Sequence, residues 1–302
     1  MLLSVRVRTL FIGIALVGAL VFLAAAVYLG EISLRLPRKP LPRESRWALV
    51  APESIEILSA DGLKLRAWFF PAPQPAGGTV ILMHGQTDNR TGMFGFSDFF
   101  LRHGYNTLTP DSRAHGASEG ELATYGLREA DDVRRWVDWL VTRQPGAPIF
   151  GLGESMGAAI LLQALEVESR FCSVVAEAPY ATLRDIAYER LANSYRATPL
   201  RQAIRPVLKL AFLYQRLRYG VDLELVSPEQ AVVNSRTRVL LIYGTKDDNT
   251  PARHGRSIQQ RNPAAITAWE IRGAGHTGAW GNQPKEFERR LLEWFNPLSC
   301  AH

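Results

Sequence analysis

The stretch PIFGLGESMGAA, Pro148–Ala159, decides how this chain is read. Pro148–Gly153 is a short apolar run of strand character, and Met156–Val167 is apolar with the composition of a buried helix. Between them lies Gly153-Glu154-Ser155-Met156-Gly157, a Gly-x-Ser-x-Gly turn. A sharp strand-to-helix turn of this kind lifts a serine hydroxyl above the edge of a sheet. The two glycines let strand and helix approach closely. The first turn of the helix leaves backbone N–H groups unpaired, and these suit a developing oxyanion. Ser155 is therefore the candidate nucleophile. Read blandly, the same pattern is a glycine-rich turn with Ser155 as a helix N-cap.

A serine hydroxyl needs a base within hydrogen-bond reach. Of the six histidines, His302 is the last residue and His103 and His254 fall on expected helices. His84 precedes a glycine at a strand end, and His115 lies in the loop DSRAHGAS. His276 sits in Gly273-Ala274-Gly275-His276-Thr277-Gly278, after the expected strand Ala265–Arg272. Its place fits the chain order serine, acid, histidine, so it is the expected base. The acid should follow the strand Arg238–Gly244, which runs into Thr245-Lys246-Asp247-Asp248-Asn249-Thr250-Pro251. Either aspartate could orient the imidazole. Either could instead cap the helix that begins near Pro251. A second oxyanion donor should come from His84-Gly85-Gln86, after the strand Thr79–Met83, so that the Gln86 and Met156 amides face one point. His84 is then a structural residue.

Further out, expected strands and helices alternate. A hairpin spans Ser54–Ala60 and Leu63–Phe70 about Asp61-Gly62. Strands Thr79–Met83, Tyr105–Pro110 and Cys172–Ala178 alternate with helices Phe94–His103 and Leu127–Thr142. Later helices are Ala252–Gln260 and Pro284–Phe295. Such alternation predicts an α/β fold, with a mostly parallel sheet covered on both faces. Sites in these sheets form at the carboxyl ends of strands, where the motifs above fall. Residues from about 182 to 234 exceed an ordinary crossover and read as a helical cap over the strand ends. On a helical wheel Arg201, Arg205, Lys209 and Arg216 share one arc with Phe212, and Pro206 is expected to interrupt it. That arc is either a solvated face or one that rests on anionic head groups.

The domain expectation is a tail over 1–8, an anchor over 9–30, a linker over 31–52 and a catalytic domain over 53–298. Thr9–Gly30 holds no charged residue, and about 20 apolar residues suffice to cross a bilayer as a helix. A cleaved signal is the competing reading, with Arg6 and Arg8 before the apolar run and Ala24-Ala25-Ala26 as the cleavage site. The run is longer than a usual signal core. The positive-inside rule leans toward a cytosolic catalytic domain, because Arg35, Arg38, Lys39, Arg43 and Arg46 follow the run. Pro37, Pro40 and Pro42 suggest a stiff linker that holds the domain away from the bilayer and leaves it separable.

The 302 residues carry a net charge of +6 and are 47% hydrophobic, which is globular composition. Seven basic against two acidic groups fall before Trp47, so the excess charge flanks the apolar run. No nucleic-acid partner is expected. Cys172 reads as a small core residue, neither it nor Cys300 has metal-ligand spacing, and two cysteines do not reveal the redox compartment.

Taken in order, ILSADGLKLRAWFFPA, MHGQTDNR, DSRAHGASEG, GESMGA, LLIYGTKDDNTP and GAGH resemble the α/β-hydrolase superfamily, and especially its membrane-anchored ABHD-type single-domain enzymes. The resemblance runs from Ser54 to about Asn296. It implies Ser155 as nucleophile, His276 as base and Asp247 rather than Asp248 as acid, since the family's aspartate falls three residues after the glycine that is here Gly244. It implies the Gln86 and Met156 amides as the oxyanion hole, and no cofactor or metal. Ala114 stands where the family commonly has glycine, and Tyr243 where it commonly has histidine. The expected activity is hydrolysis of an ester or thioester of a lipid-like or small acyl substrate, with oligomeric state left open. The rivals are a serine peptidase with the same triad and a catalytically inactive tethered binding protein. An acid-nucleophile hydrolase does not fit an elbow that carries serine.

Overall fold

The computed structural model describes residues 2–42, 50–75, 77–194 and 201–300. Among them an eight-stranded sheet has the order β1-β2-β4-β3-β5-β6-β7-β8. The strands are β1 (Glu53–Leu58), β2 (Lys64–Phe70), β3 (Thr79–Met83), β4 (Asn106–Pro110), β5 (Ile149–Glu154), β6 (Phe171–Glu177), β7 (Arg238–Gly244) and β8 (Ile266–Ile271). The first two form the antiparallel hairpin, β2 pairs β4 antiparallel, and every later pairing is parallel. Burial explains the pattern. The residues of β3 and β4 are all buried, as strands covered on both faces must be.

The helices are α1 (Leu2–Leu34), α2 (Phe94–Arg102), α3 (Glu129–Arg143), α4 (Met156–Ala164), α5 (Leu183–Ser194), α6 (Arg201–Tyr219), α7 (Pro228–Ala231), α8 (Arg253–Arg261), α9 (Ala279–Asn282) and α10 (Pro284–Trp294). One core joins the sheet to α3, α4 and the cap through Trp136, Leu161 and Leu208. A second, on the opposite face, packs Phe100, Phe150, Phe287 and Phe295. The α/β expectation therefore holds, with element ends moved by a residue or a few.

Three expectations are corrected. First, the apolar helix does not stop at Gly30, and 31–42 does not stand clear of the domain. α1 continues to Leu34, whose side chain is fully buried in the first core. The Arg38 guanidinium donates to the carbonyls of Gly116, Ser118 and Gly120, and Lys39 pairs with Asp88 at 2.7 Å. These carbonyls belong to a loop that turns back on itself, so one planar guanidinium reaches them together. Linker residues 43–49 lie outside the described residues.

Second, Cys172 and Cys300 form a disulfide with Cα atoms 5.0 Å apart. Their 128-residue separation hides the pairing in the sequence. The chain after α10 returns Cys300 to the start of β6.

Third, α6 runs through Pro206 without a break. Proline removes the N–H that would pair with the Gln202 carbonyl, and the helix carries that gap without ending. Phe212 is buried rather than part of a basic face, and Arg205 lies over the Tyr188 ring at 4.5 Å. Lys209 and Arg216 are exposed. The Arg201 side chain and cap residues 195–200 lie outside the described set.

Candidate active site

The turn at Ser155 is strained in a specific way. Ser155 has φ 52° and ψ −112°, a region that side-chain-bearing residues rarely adopt. Its N–H donates to the Glu177 carbonyl at 2.8 Å, and its carbonyl accepts from Ala159 at 3.0 Å, which seats it between β6 and α4. A methyl group at Gly153 would lie 2.6 Å from the Ala158 nitrogen, and one at Gly157 would lie 2.3 Å from the Met83 carbonyl oxygen. Close contact with backbone at both positions is why the elbow carries glycine on each side.

Around that elbow the fold gathers residues from three other strand ends. His276 Nε2 is 2.9 Å from Ser155 Oγ, and His276 Nδ1 is 2.8 Å from Asp247 Oδ2. The other carboxylate oxygen, Asp247 Oδ1, accepts from the Asn249 and Thr250 amides at 2.9 and 2.7 Å. The Asp247 side chain is fully buried, whereas Asp248 is exposed. Neither aspartate caps α8, whose N-cap residue is Ala252 with no side-chain cap bond. The capping role expected for one of the pair is thus absent, and Asp247 instead closes its own turn.

Gly85 and Gln86 follow β3 beside the elbow. A methyl group at Gly85 would sit 3.8 Å from Ser155 Cβ. Among the described residues neither the Gln86 nor the Met156 amide has a hydrogen-bond partner. Two free N–H groups flanking a serine can hold an oxyanion. His84 is buried, and burial beside His115 lowers its pKa to about 4, so the ring is neutral. Its Nε2 accepts from Ser112 N–H at 3.1 Å, which leaves Nδ1–H to donate to the Gly85 carbonyl at 2.8 Å. This histidine braces the loop that carries Gly85 and Gln86. His254 is also buried, with Nε2 2.9 Å from Glu189.

The sequence did not expose two acidic neighbours. Glu154 is pushed up to about 8 by burial and then by Glu177, and Glu177 is pushed up to about 7 chiefly by burial. Glu177 accepts the Ala279 amide at 2.9 Å and so fixes the segment that follows His276. Glu154 stands within the elbow motif, but its charge environment depends on Glu177 of β6, which nothing in the sequence placed beside it.

An apolar cavity of about 380 Å³ opens beside Gln86. The cap contributes Ile186, Leu191 and Phe212, and α1 contributes Leu29 and Ile32. Nothing in the motifs indicated that the N-terminal helix would line it.

A mostly parallel sheet with a Gly-x-Ser-x-Gly turn between a strand and a helix is the arrangement of the α/β-hydrolase fold. The chain belongs to the alpha/beta hydrolase family, whose model matches residues 80–290. It is 30% identical over 249 residues to the Bacillus subtilis protein YqkD, spanning 80% of this chain and 79% of that one. It is 25% identical over 178 residues to human monoglyceride lipase, spanning 58% and 56% of the two chains. Among solved structures it is similar to Pyrococcus furiosus esterase Pf2001. Two crystal forms of that esterase give TM-scores of 0.71 and 0.68 at 24% and 25% identity, covering 87% of this chain and 97% and 96% of theirs.

Proposed function

We propose that this protein is a membrane-anchored serine hydrolase that cleaves carboxylic esters of lipid-like acyl substrates. The observation that carries the reading is the hydrogen-bonded series from Asp247 through His276 to Ser155, at 2.8 and 2.9 Å. In the proposed mechanism Ser155 Oγ attacks the ester carbonyl carbon while His276 Nε2 takes its proton. Asp247 keeps the proton on Nδ1 and stabilises the imidazolium. The Gln86 and Met156 amides hold the oxyanion. His276 then returns the proton to the departing alcohol, and water releases the acyl group by the same steps in reverse. Similarity to an esterase and to a lipase supports an ester as the substrate, and the apolar cavity supports a lipid-like acyl group.

The anchor rests on α1, of which Val7–Leu34 is long and apolar enough to cross a membrane. The disulfide supports a catalytic domain on an oxidising side, because such pairs are rare where thiols are kept reduced. This outweighs the weak lean of the flanking charges toward the cytosol.

The test is labelling with a fluorophosphonate probe, followed by a panel of esters and aminoacyl amides. Ser155→Ala should lose labelling and several orders of magnitude in turnover. Full labelling of that variant would refute the assignment, and amides cleaved in preference to esters would replace it with a peptidase.

A further inference from the structure

We infer that α1 is not only an anchor but the outer wall of the acyl site, so that a single-chain amphiphile reaches Ser155 directly from the bilayer leaflet. The inference rests on the hydrolase reading above and deepens it.

The cavity beside Gln86 lies between three helices. Leu29 and Ile32 come from α1, Ile186 and Leu191 from α5, and Leu208 and Phe212 from α6. Gln86, which lines it, follows Gly85, where a methyl group would sit 3.8 Å from Ser155 Cβ. The cavity thus reaches the neighbourhood of Ser155 through this loop, although Ser155 is not among its lining residues. Ile32 lines the cavity and is still 44% exposed, so the mouth lies on the side of α1.

The contact between α1 and the cap is built in detail. The last carbonyls of a helix lack partners within it. Here Ser33 O accepts from the Tyr125 hydroxyl at 2.6 Å and Leu34 O from the Ala123 amide at 2.9 Å, and one turn earlier Gly30 O takes an additional bond from Gln215 Nε2 at 2.9 Å. Glu31, the one acidic residue in α1, accepts from the Tyr214 and Tyr219 hydroxyls at 2.5 and 2.6 Å. Tyr125 also receives Gln86 Nε2 at 3.1 Å, which ties the helix end to the oxyanion loop. A passive tether would need none of these bonds.

A bilayer core takes about 20 helical residues, which from Thr9 brings the far boundary near Tyr28. Tyr28 is 64% exposed there, as an interfacial aromatic would be. Leu29 and Ile32 therefore sit at head-group level, and the cavity mouth with them. On α6, Leu213 and Leu217 are exposed beside Lys209 and Arg216, the mixed face of a helix that lies in an interface. An acyl chain in the leaflet can pass Ile32 into the cavity and bring its ester toward Gln86, the lining residue that adjoins the Ser155 elbow. The ligand class that fits is an ester with one long acyl chain and a small polar head.

The experiment uses full-length protein in phosphatidylcholine vesicles, with butyryl and palmitoyl esters of one fluorogenic alcohol. Rates are normalised to the fraction labelled by a fluorophosphonate. Ile32→Trp should lower the palmitoyl-to-butyryl ratio of kcat/KM by about tenfold or more. Ile32→Ala should leave that ratio equal or raise it, and Leu20→Trp, on the lipid-facing part of α1, should keep the parent value. An unchanged ratio in Ile32→Trp, with ester turnover intact, overturns the wall and leaves the hydrolase reading standing. A parent protein that labels at Ser155 but cleaves neither ester overturns both.

Discussion

The corner that holds Ser155 and the corner that meets α1 share one residue, Gln86, yet they are assembled differently. In the first, Ser155, Asp247 and His276 each lie in a short contiguous turn just beyond the end of their own strand. Ser155 is set by the residues between Gly153 and Gly157, and Asp247 by the amides of Asn249 and Thr250. In the second, no short segment is sufficient. Gly30 is held by Gln215 and Glu31 by Tyr219, contacts that span 185 and 188 residues. Local turns can be read in a sequence, whereas a surface assembled from distant side chains becomes visible only after folding. On the proposed reading, the chemistry is specified by turns and the access to it by packing.

The sharpest way to break this comparison lies in the acid turn. If Asp247 both orients His276 and closes its own loop, Asp247→Asn should reduce turnover by roughly 10⁴-fold, because the imidazole loses its tautomer. Asp248→Asn should change turnover and stability little, since that side chain is exposed and caps nothing. Steady-state ester hydrolysis by the two variants decides it, and similar losses in both would mean that the turn is not read correctly.

The next effect concerns the other corner. Leu34 is fully buried in the main core although it belongs to the N-terminal helix. Leu34→Ala should destabilise the catalytic domain by about 2–5 kcal/mol. Leu20→Ala, exposed along the same helix, should leave the domain unchanged. Thermal inactivation in detergent micelles measures both. Equal inactivation temperatures for Leu34→Ala and the parent would restore the picture of a separable anchor.

A pH experiment sharpens the first corner further. Burial raises Glu154 to about 8 and Glu177 to about 7. The folded state therefore binds protons more tightly than the unfolded chain, whose glutamates titrate near 4.3. The sign follows: these groups favour folding at acid pH, and that advantage is lost as pH rises from about 4.3 toward 8. Glu154→Gln should flatten this decline, with a difference on the order of a few degrees in Tm between pH 5 and pH 8.5. Parallel curves for the two proteins would show that Glu154 is not held protonated.

What could be read in advance divides along the same line. Alternation of strand-like and helix-like runs gave the sheet, because burial on both faces leaves a compositional trace in β3, β5 and β7. The Gly-x-Ser-x-Gly turn gave Ser155 and the chain order serine, acid, histidine gave His276 as candidates, and Asp247 needed the resemblance to separate it from Asp248. The Cys172–Cys300 pair, the pairing of Glu154 with Glu177 and the docking of residues 29–40 left no trace, because each joins segments whose proximity depends on the complete sheet. Glu31 and Ser33 were hints. Polar residues at the end of an apolar run read as its boundary, yet here both take part in hydrogen bonds with the cap.

The smallest expected effect tests whether a departure from the family pattern has a local cost. Ala114 stands where glycine is common, and its φ is 61°. An L-residue in this left-handed region suffers contact between Cβ and its own carbonyl, which glycine avoids. Ala114 is held there by its N–H bond to the Glu119 carbonyl at 3.0 Å and by the neighbouring Arg113–Asp132 ion pair at 2.7 Å. The loop is thus fixed by its partners, and the conformation would persist with glycine in place. Opposing the relief is the greater freedom that glycine gives the unfolded chain, at roughly 0.4–1 kcal/mol. The strain, about 1–2 kcal/mol, is the larger of the two. Ala114→Gly should therefore stabilise the protein by up to about 1.6 kcal/mol and leave ester turnover unchanged. Chemical denaturation of the two proteins under identical conditions gives the sign. A net loss of stability would mean that the methyl group, which is buried, contributes more by packing than its backbone conformation costs.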